Sequence, residues 1–179
     1  MGRRIRQRFQ VEVVPHVNPD GAAAGRNGFN AEGLDMYRAF GADPGADAPE
    51  AHESRLLWRW ATNSPPALWL NFHNYLGWRS FAEPPYDGYY TVPAALFADA
   101  RQRERYEALG DAVRLLTDGP SGHLAAAAHD ANTLCYQLAR RFGVPHVFYE
   151  INGSTGGAAG SARRAVQVFR AAMGVLLAT

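Results

Sequence analysis

Residues 8–15 set Phe9, Val11 and Val13 against mostly polar neighbours, an alternation that predicts a strand with one buried face. Asn18-Pro19-Asp20-Gly21 predicts a turn, and a Gly- and Asn-rich loop follows to about Arg38. The apolar period then lengthens. Pro49 and Glu50 suit the first turn of a helix whose inner face carries Leu56, Leu57, Trp60 and Ala61. Pro65-Pro66 ends that helix. The nearly continuous apolar run from Ala67 to His73 predicts a strand covered on both faces. Residues 74–93, rich in aromatics and proline, read as a long loop of the kind that often carries function.

Further along, Tyr106, Leu109, Val113 and Leu116 recur at helical spacing and predict a helix ending at Gly119-Pro120. Leu134, Leu138 and Ala139 predict another, ending near Gly143. Val144 to Ile151 is a second run of buried-strand type. Ser161 is placed to cap a final helix that turns Ala165, Val168, Phe169, Ala172, Met173 and Leu176 inward. Strands separated by helices predict an α/β sandwich with a largely parallel sheet, and no internal repeat is visible.

Composition narrows the function classes. A chain of 179 residues, 47% hydrophobic and 20% charged, suits one soluble globular domain spanning residues 1–179. The formal net charge of +1 gives no basic face of the kind nucleic-acid binding needs. The basic run Arg3-Arg4-Ile5-Arg6-Gln7-Arg8 is short and reads as a solvated or frayed terminus. The single cysteine, Cys135, excludes an intrachain disulfide and sits among apolar residues as a small buried hydrophobe. No apolar segment follows the basic start as in a signal peptide, and no run approaches the ~20 residues of a membrane span. A cytoplasmic protein is the expectation.

In open α/β sheets, reactive side chains gather just beyond the carboxyl ends of the strands. His73 and Glu150 stand there, each closing an otherwise apolar run. A neutral histidine can donate to zinc, and a nearby carboxylate can take a proton from metal-bound water. On pattern alone the alternatives remain open: a hydrogen-bonded core histidine, and a paired or solvated glutamate.

The loop from Asn18 adds a different kind of signal. Asn18-Pro19-Asp20-Gly21 precedes Gly25-Arg26-Asn27-Gly28-Phe29-Asn30 and then Gly33-Leu34-Asp35-Met36-Tyr37-Arg38. In the same order come Pro49-Glu50, His73-Asn74-Tyr75, and Glu150 at the end of Val147-Phe148-Tyr149. This series resembles the zinc metallocarboxypeptidases of the carboxypeptidase A type, over the C-terminal two-thirds of their catalytic domain. The resemblance implies a three-layer α/β/α sandwich with a mostly parallel mixed sheet, truncated at its N-terminus. It further implies His73 as a zinc ligand and Glu150 as general base and acid. Arg38 would hold the substrate's terminal carboxylate through a bidentate pair. Arg26 would polarise the scissile carbonyl, and Tyr75 would line the pocket.

Three departures modify these implications. The family's other two zinc ligands lie in a His-x-x-Glu motif upstream, and none of the seventeen residues before Asn18 forms one. Tyr37 stands where the family uses an asparagine in carboxylate binding. Gly28 occupies the family's arginine position, leaving Arg26 two positions early. His16, His52, His123, His129 and His146 make no helical pair that replaces the missing ligands. The sequence therefore predicts a zinc-dependent carboxypeptidase-like hydrolase domain that is incomplete or inactive as an isolated chain. A non-catalytic peptide-binding remnant and a deacylase acting on acyl-amino acids are the alternatives. Its partners would be a peptide or acyl-amino-acid substrate, with neither nucleic acid nor membrane. Self-association through an exposed sheet edge is a further expectation.

Overall fold

A computed structural model of the chain describes residues 2–38, 40, 49–75, 87–116, 124–128, 130–153 and 156–178, with the backbone alone at residues 75 and 124–128. Four strands form one mixed sheet: β1 (Trp69–Tyr75), β2 (Gly88–Thr91), β3 (Leu124–Ala128) and β4 (His146–Asn152), in the order β1-β4-β2-β3. β1 and β4 run parallel in unbroken register from Trp69 opposite His146 to Tyr75 opposite Asn152. β2 pairs antiparallel with β4 and parallel with β3. The helices are α1 (Gly2–Arg8), α2 (Pro19–Ala23), α3 (His52–Asn63), α4 (Ala100–Arg114), α5 (Leu134–Phe142) and α6 (Gly157–Ala178).

The alternation along β4 builds the three layers. Val147, Tyr149 and Ile151 face one way and pack with Leu109 and Val113 of α4 and Val168 and Ala172 of α6. On the other side, Trp69 and Val144 meet Leu57, Trp58 and Ala61 of α3, Leu134 and Leu138 of α5, and Phe40. Fully burying each large apolar side chain contributes about 1.5–3 kcal/mol, so β4, covered on both faces, anchors the core. Thr133 caps α5 through its hydroxyl, which accepts from the Tyr136 amide. Gly143 closes α5 in the left-handed region at φ 61°, turning Val144 straight into β4. Among the described residues, no helix is long and apolar enough to cross a membrane.

Several elements differ from the sequence expectation. Residues 8–15 form no strand. The segment is solvent-facing, with Val13 75% exposed, and no described strand pairs with it. Alternation marks a strand only where a neighbouring ladder takes up the backbone groups. The basic N-terminus is not frayed but helical, since Ile5 packs on Met173 and Leu176 of α6. The Asn18 turn tightens into the short α2, with Pro19 in its first turn and the Asn18 side chain accepting from the Gly21 amide. Pro49 and Glu50 precede α3, which begins at His52, so they guide its entry rather than form its first turn. Ser161 lies inside α6, whose Gly- and Ala-rich start extends the helix back to Gly157. The expected loop over 74–93 holds the end of β1 and the whole of β2. The helix stop at Gly119-Pro120 lies outside the described residues, and α4 itself ends at Arg114.

Burial of His146 in this core makes stability pH-dependent. Desolvation lowers its pKa from 6.5 to about 4, so the folded state holds the ring neutral where the unfolded chain binds a proton. Its contribution is complete above pH 6.5 and is lost as pH falls toward 4. At about 1.4 kcal/mol for each pH unit separating the two values, the loss amounts to a few kcal/mol. Urea unfolding between pH 7 and 4.5 should show stability falling with acid, and His146→Gln should flatten the slope. An unchanged slope in the variant would contradict this assignment.

Candidate functional site

In parallel strands held in register, opposite residues project from the same face of the sheet. His73 of β1 lies opposite Glu150 of β4, close to the carboxyl ends of both strands. Both belong to the face that carries Phe148, on the α3/α5 side. The His73 ring stacks on Phe148 with centroids 4.3 Å apart at 25°. Tyr90 from β2 meets the same phenylalanine edge-on at 5.2 Å. Tyr37 closes the group, edge-on to Phe148 at 5.5 Å and to His73 at 6.1 Å. Aromatic residues from two strands and a loop thus wall in one imidazole.

The loop that delivers Tyr37 is built from its own polar side chains. Asn18 Nδ2 donates to the Phe29 carbonyl at 2.8 Å. Buried Asn30 accepts the Glu32 and Leu34 amides through Oδ1 and donates to Glu53 of α3. Gly28 and Gly33 supply the positive φ values such a tight path requires. Asp35 Oδ1 then accepts the Tyr37 amide at 2.7 Å and the Arg38 amide at 3.0 Å, an Asx turn that aims Tyr37 inward and Arg38 outward.

Burial dominates the electrostatics. It lowers the His73 pKa from 6.5 to about 4, so the ring is neutral at pH 7 with a lone pair to offer. It also raises the Tyr37 hydroxyl well above its usual range, with Cys135 adding to the effect, so Tyr37 stays protonated. The Cys135 thiol is pushed up to about 12 by burial, against a hydrogen bond with Asn71 that lowers it. An inert, buried thiol is the result, not a nucleophile.

The remaining sequence candidates are placed unequally. Arg38 sits at the rim, its guanidinium carbon 5.4 Å from the Tyr37 ring centre. Its Nε bonds Asp130 Oδ2 at 2.8 Å, and both side chains are more than half exposed. Arg26 turns back on its own loop, with Nη1 3.5 Å from the Asn30 carbonyl, and makes no described contact with His73 or Glu150. The Tyr75 backbone ends β1, and its side chain lies outside the described residues. His123 and His129 also lie outside them, while His146 is in the core and His16 and His52 are exposed.

Two features of the site were not anticipated. One is the aromatic enclosure by Phe148 and Tyr90, which only the sheet order reveals. The other is buried Asp87, just before β2. Its carboxylate accepts the Asn152 amide at 2.7 Å, the Tyr149 hydroxyl at 3.2 Å and Arg164 Nε at 2.7 Å. This knot ties the carboxyl end of β4 to α6 two residues beyond Glu150. No spacing in the sequence points to it.

These donors fit zinc only in part. His73 is a sound single ligand, being neutral, half-buried and beside a carboxylate. Among the described residues, however, no three His, Cys, Asp or Glu side chains converge as a metal site. Catalytic zinc takes three protein ligands and a water, so these residues do not complete a site, and no metal-dependent step is assigned to them.

No protein-family model matches the chain, and no curated protein matches it by sequence. Solved structures do. A metallo-carboxypeptidase from Burkholderia cenocepacia aligns with 91% of this chain and 44% of its own, at 16% identity and a TM-score of 0.65. The chain has the metallocarboxypeptidase fold. A second protein of that fold, a metallo-carboxypeptidase from Pseudomonas aeruginosa solved with (2-guanidinoethylmercapto)succinic acid, aligns with 92% of this chain and 45% of its own. Identity there is 19% and the TM-score 0.65. A succinylglutamate desuccinylase/aspartoacylase from Rhodobacter sphaeroides aligns with 94% of this chain and 49% of its own, at 16% identity and a TM-score of 0.51. The chain therefore spans a little under half the length of these metallo-carboxypeptidases.

The Asp87 knot gives a direct test of what holds the strand end. Asp87→Ala removes the buried carboxylate that accepts from Arg164 Nε, the Asn152 amide and the Tyr149 hydroxyl, and should cost roughly 2–4 kcal/mol in denaturant unfolding. A loss below about 0.5 kcal/mol, the usual size of a surface change, would show that the knot does not support β4.

Proposed function

We propose that this chain is part of a zinc-dependent, carboxypeptidase-like hydrolase domain, to which it contributes His73 as one zinc donor and Glu150 as the general base. The register of β1 and β4 carries this reading, because it sets a neutral imidazole and a carboxylate side by side on one face of the sheet. Glu150, half-buried at the strand end, is placed to take up the proton of an attacking water. Arg38 anchors the carboxylate of a peptide substrate at the rim. Arg26, whose described contact is with its own loop, and Tyr75 enter this reading through the motif resemblance alone. With one donor among the described residues, the chain by itself holds zinc weakly and hydrolyses nothing at an enzymatic rate.

Tyr37 favours a second reading. Its ring stands against His73 where carboxypeptidases of this type use a smaller asparagine, a change away from recognition of a peptide's free carboxylate and towards a small acyl-amino acid. The likeness to the desuccinylase/aspartoacylase structure points the same way.

Equilibrium dialysis against zinc at pH 7, with assays on a blocked dipeptide and an N-acetyl amino acid, tests both readings. The expected result is binding weaker than about 1 μM, weaker still in His73→Ala, and no turnover of either compound. Zinc binding unaffected by His73→Ala would remove the donor role. One tightly held zinc per chain, with turnover lost in His73→Ala, would show that the chain completes its own site. Preference for the dipeptide or the acetyl amino acid would then choose between peptidase and deacylase.

A further inference from the structure

We propose that Asp130 is an internal competitor for Arg38, a carboxylate that occupies the guanidinium until a ligand's carboxylate displaces it, so that it sets the affinity of the site for acidic ligands. The proposal rests on the reading of Arg38 as the carboxylate anchor. Three observations support it. Arg38 does not need Asp130 for its placement, because its amide is held by Asp35 Oδ1 at 3.0 Å and its guanidinium lies against the Tyr37 ring. The contact is of the kind a ligand would make, a charge-assisted bond from Nε to Oδ2 at 2.8 Å. Both partners are open to solvent, at 55% and 58% exposure, so exchange requires no disruption of the core. Exposed pairs of this sort are weak, and a bidentate ligand carboxylate can outcompete them.

The surroundings fit a replaceable partner. Asp130 lies in the turn before α5, where its backbone carbonyl accepts the Thr133 amide and hydroxyl. The Phe40 amide donates to the Asn132 carbonyl of the same turn. These backbone ties keep the turn against the Tyr37 loop while the Asp130 side chain swings away. Tyr37 then links the event to the site, since its ring touches both the Arg38 guanidinium and His73. Asp35 remains as a second negative charge beside Arg38, but its Oδ1 is committed to two backbone amides.

Titration calorimetry with N-acetylphenylalanine, and with its amide as the uncharged control, tests the proposal on the full chain. Asp130→Asn should bind the acid about 2- to 5-fold more tightly, the range set by a surface ion pair, and should leave amide binding unchanged. Asp130→Glu, which keeps the competitor, should return to the wild-type value. Arg38→Ala should abolish the preference for the acid, and adding Asp130→Asn to it should then have no effect. If Arg38→Ala weakens acid binding but Asp130→Asn leaves it unchanged or weakens it, Asp130 does not compete, and the anchor reading survives alone. If Arg38→Ala leaves acid binding unaltered, the anchor reading fails and this proposal with it. Failure of both wild type and Asp130→Asn to bind the acid overturns the proposal as well.

Discussion

Everything at the candidate site depends on the parallel, in-register pairing of β1 with β4. A slip of one residue in either strand would turn its side chains to the opposite face, sending His73 or Glu150 into the layer filled by α4 and α6. The register is protected from both sides. Val147, Tyr149 and Ile151 are committed to one helical layer, and Trp69 and Val144 to the other. The Asp87 knot then pins the carboxyl end of β4. Chemistry-bearing residues at these strand ends inherit their positions from the most buried part of the molecule.

The same burial gives His73 its character. Stacked on Phe148 and edged by Tyr37, the ring has lost enough water to stay neutral through the physiological range. That makes it a good donor and a poor cation. What the described residues lack is company for it, since no second and third donor converge there. The described residues bring an imidazole and a carboxylate together on one face of the sheet, with a guanidinium at the rim.

β4 was legible because both its faces are covered, which leaves a near-continuous apolar run ending in a conspicuous glutamate. β1 carries a similar run ending in a histidine, but it is an edge strand of the described sheet that leaves Phe72 and Asn74 exposed, so the covering expected on both its faces is not found. The helices α4 and α5 were legible for the complementary reason, a one-sided apolar stripe and, for α5, a glycine stop. The strand expected at residues 8–15 failed because alternation reports only a side-chain pattern, not a partner for the backbone. β2 was hidden in aromatic sequence that reads equally as loop, and β3 in alanines that carry no period. The contacts of Asp87 with Tyr149 and Asn152, and of Arg38 with Asp130, join positions more than sixty residues apart, so no local spacing announces them. The motif around Asn18 marked a loop correctly, but whether Arg26 reaches the site is a matter of three-dimensional path. Its observed contact is with its own loop.

His73 is a neutral imidazole enclosed on the Glu150 face of the sheet. Proton NMR of the histidine rings across pH 3.5–8, with nuclear Overhauser contacts measured at pH 7, tests it most directly. His73 should titrate near pH 4 and show contacts to the rings of Phe148 and Tyr37. A His73 ring that titrates near 6.5, the value of a solvated histidine, without contact to either aromatic residue, would contradict it.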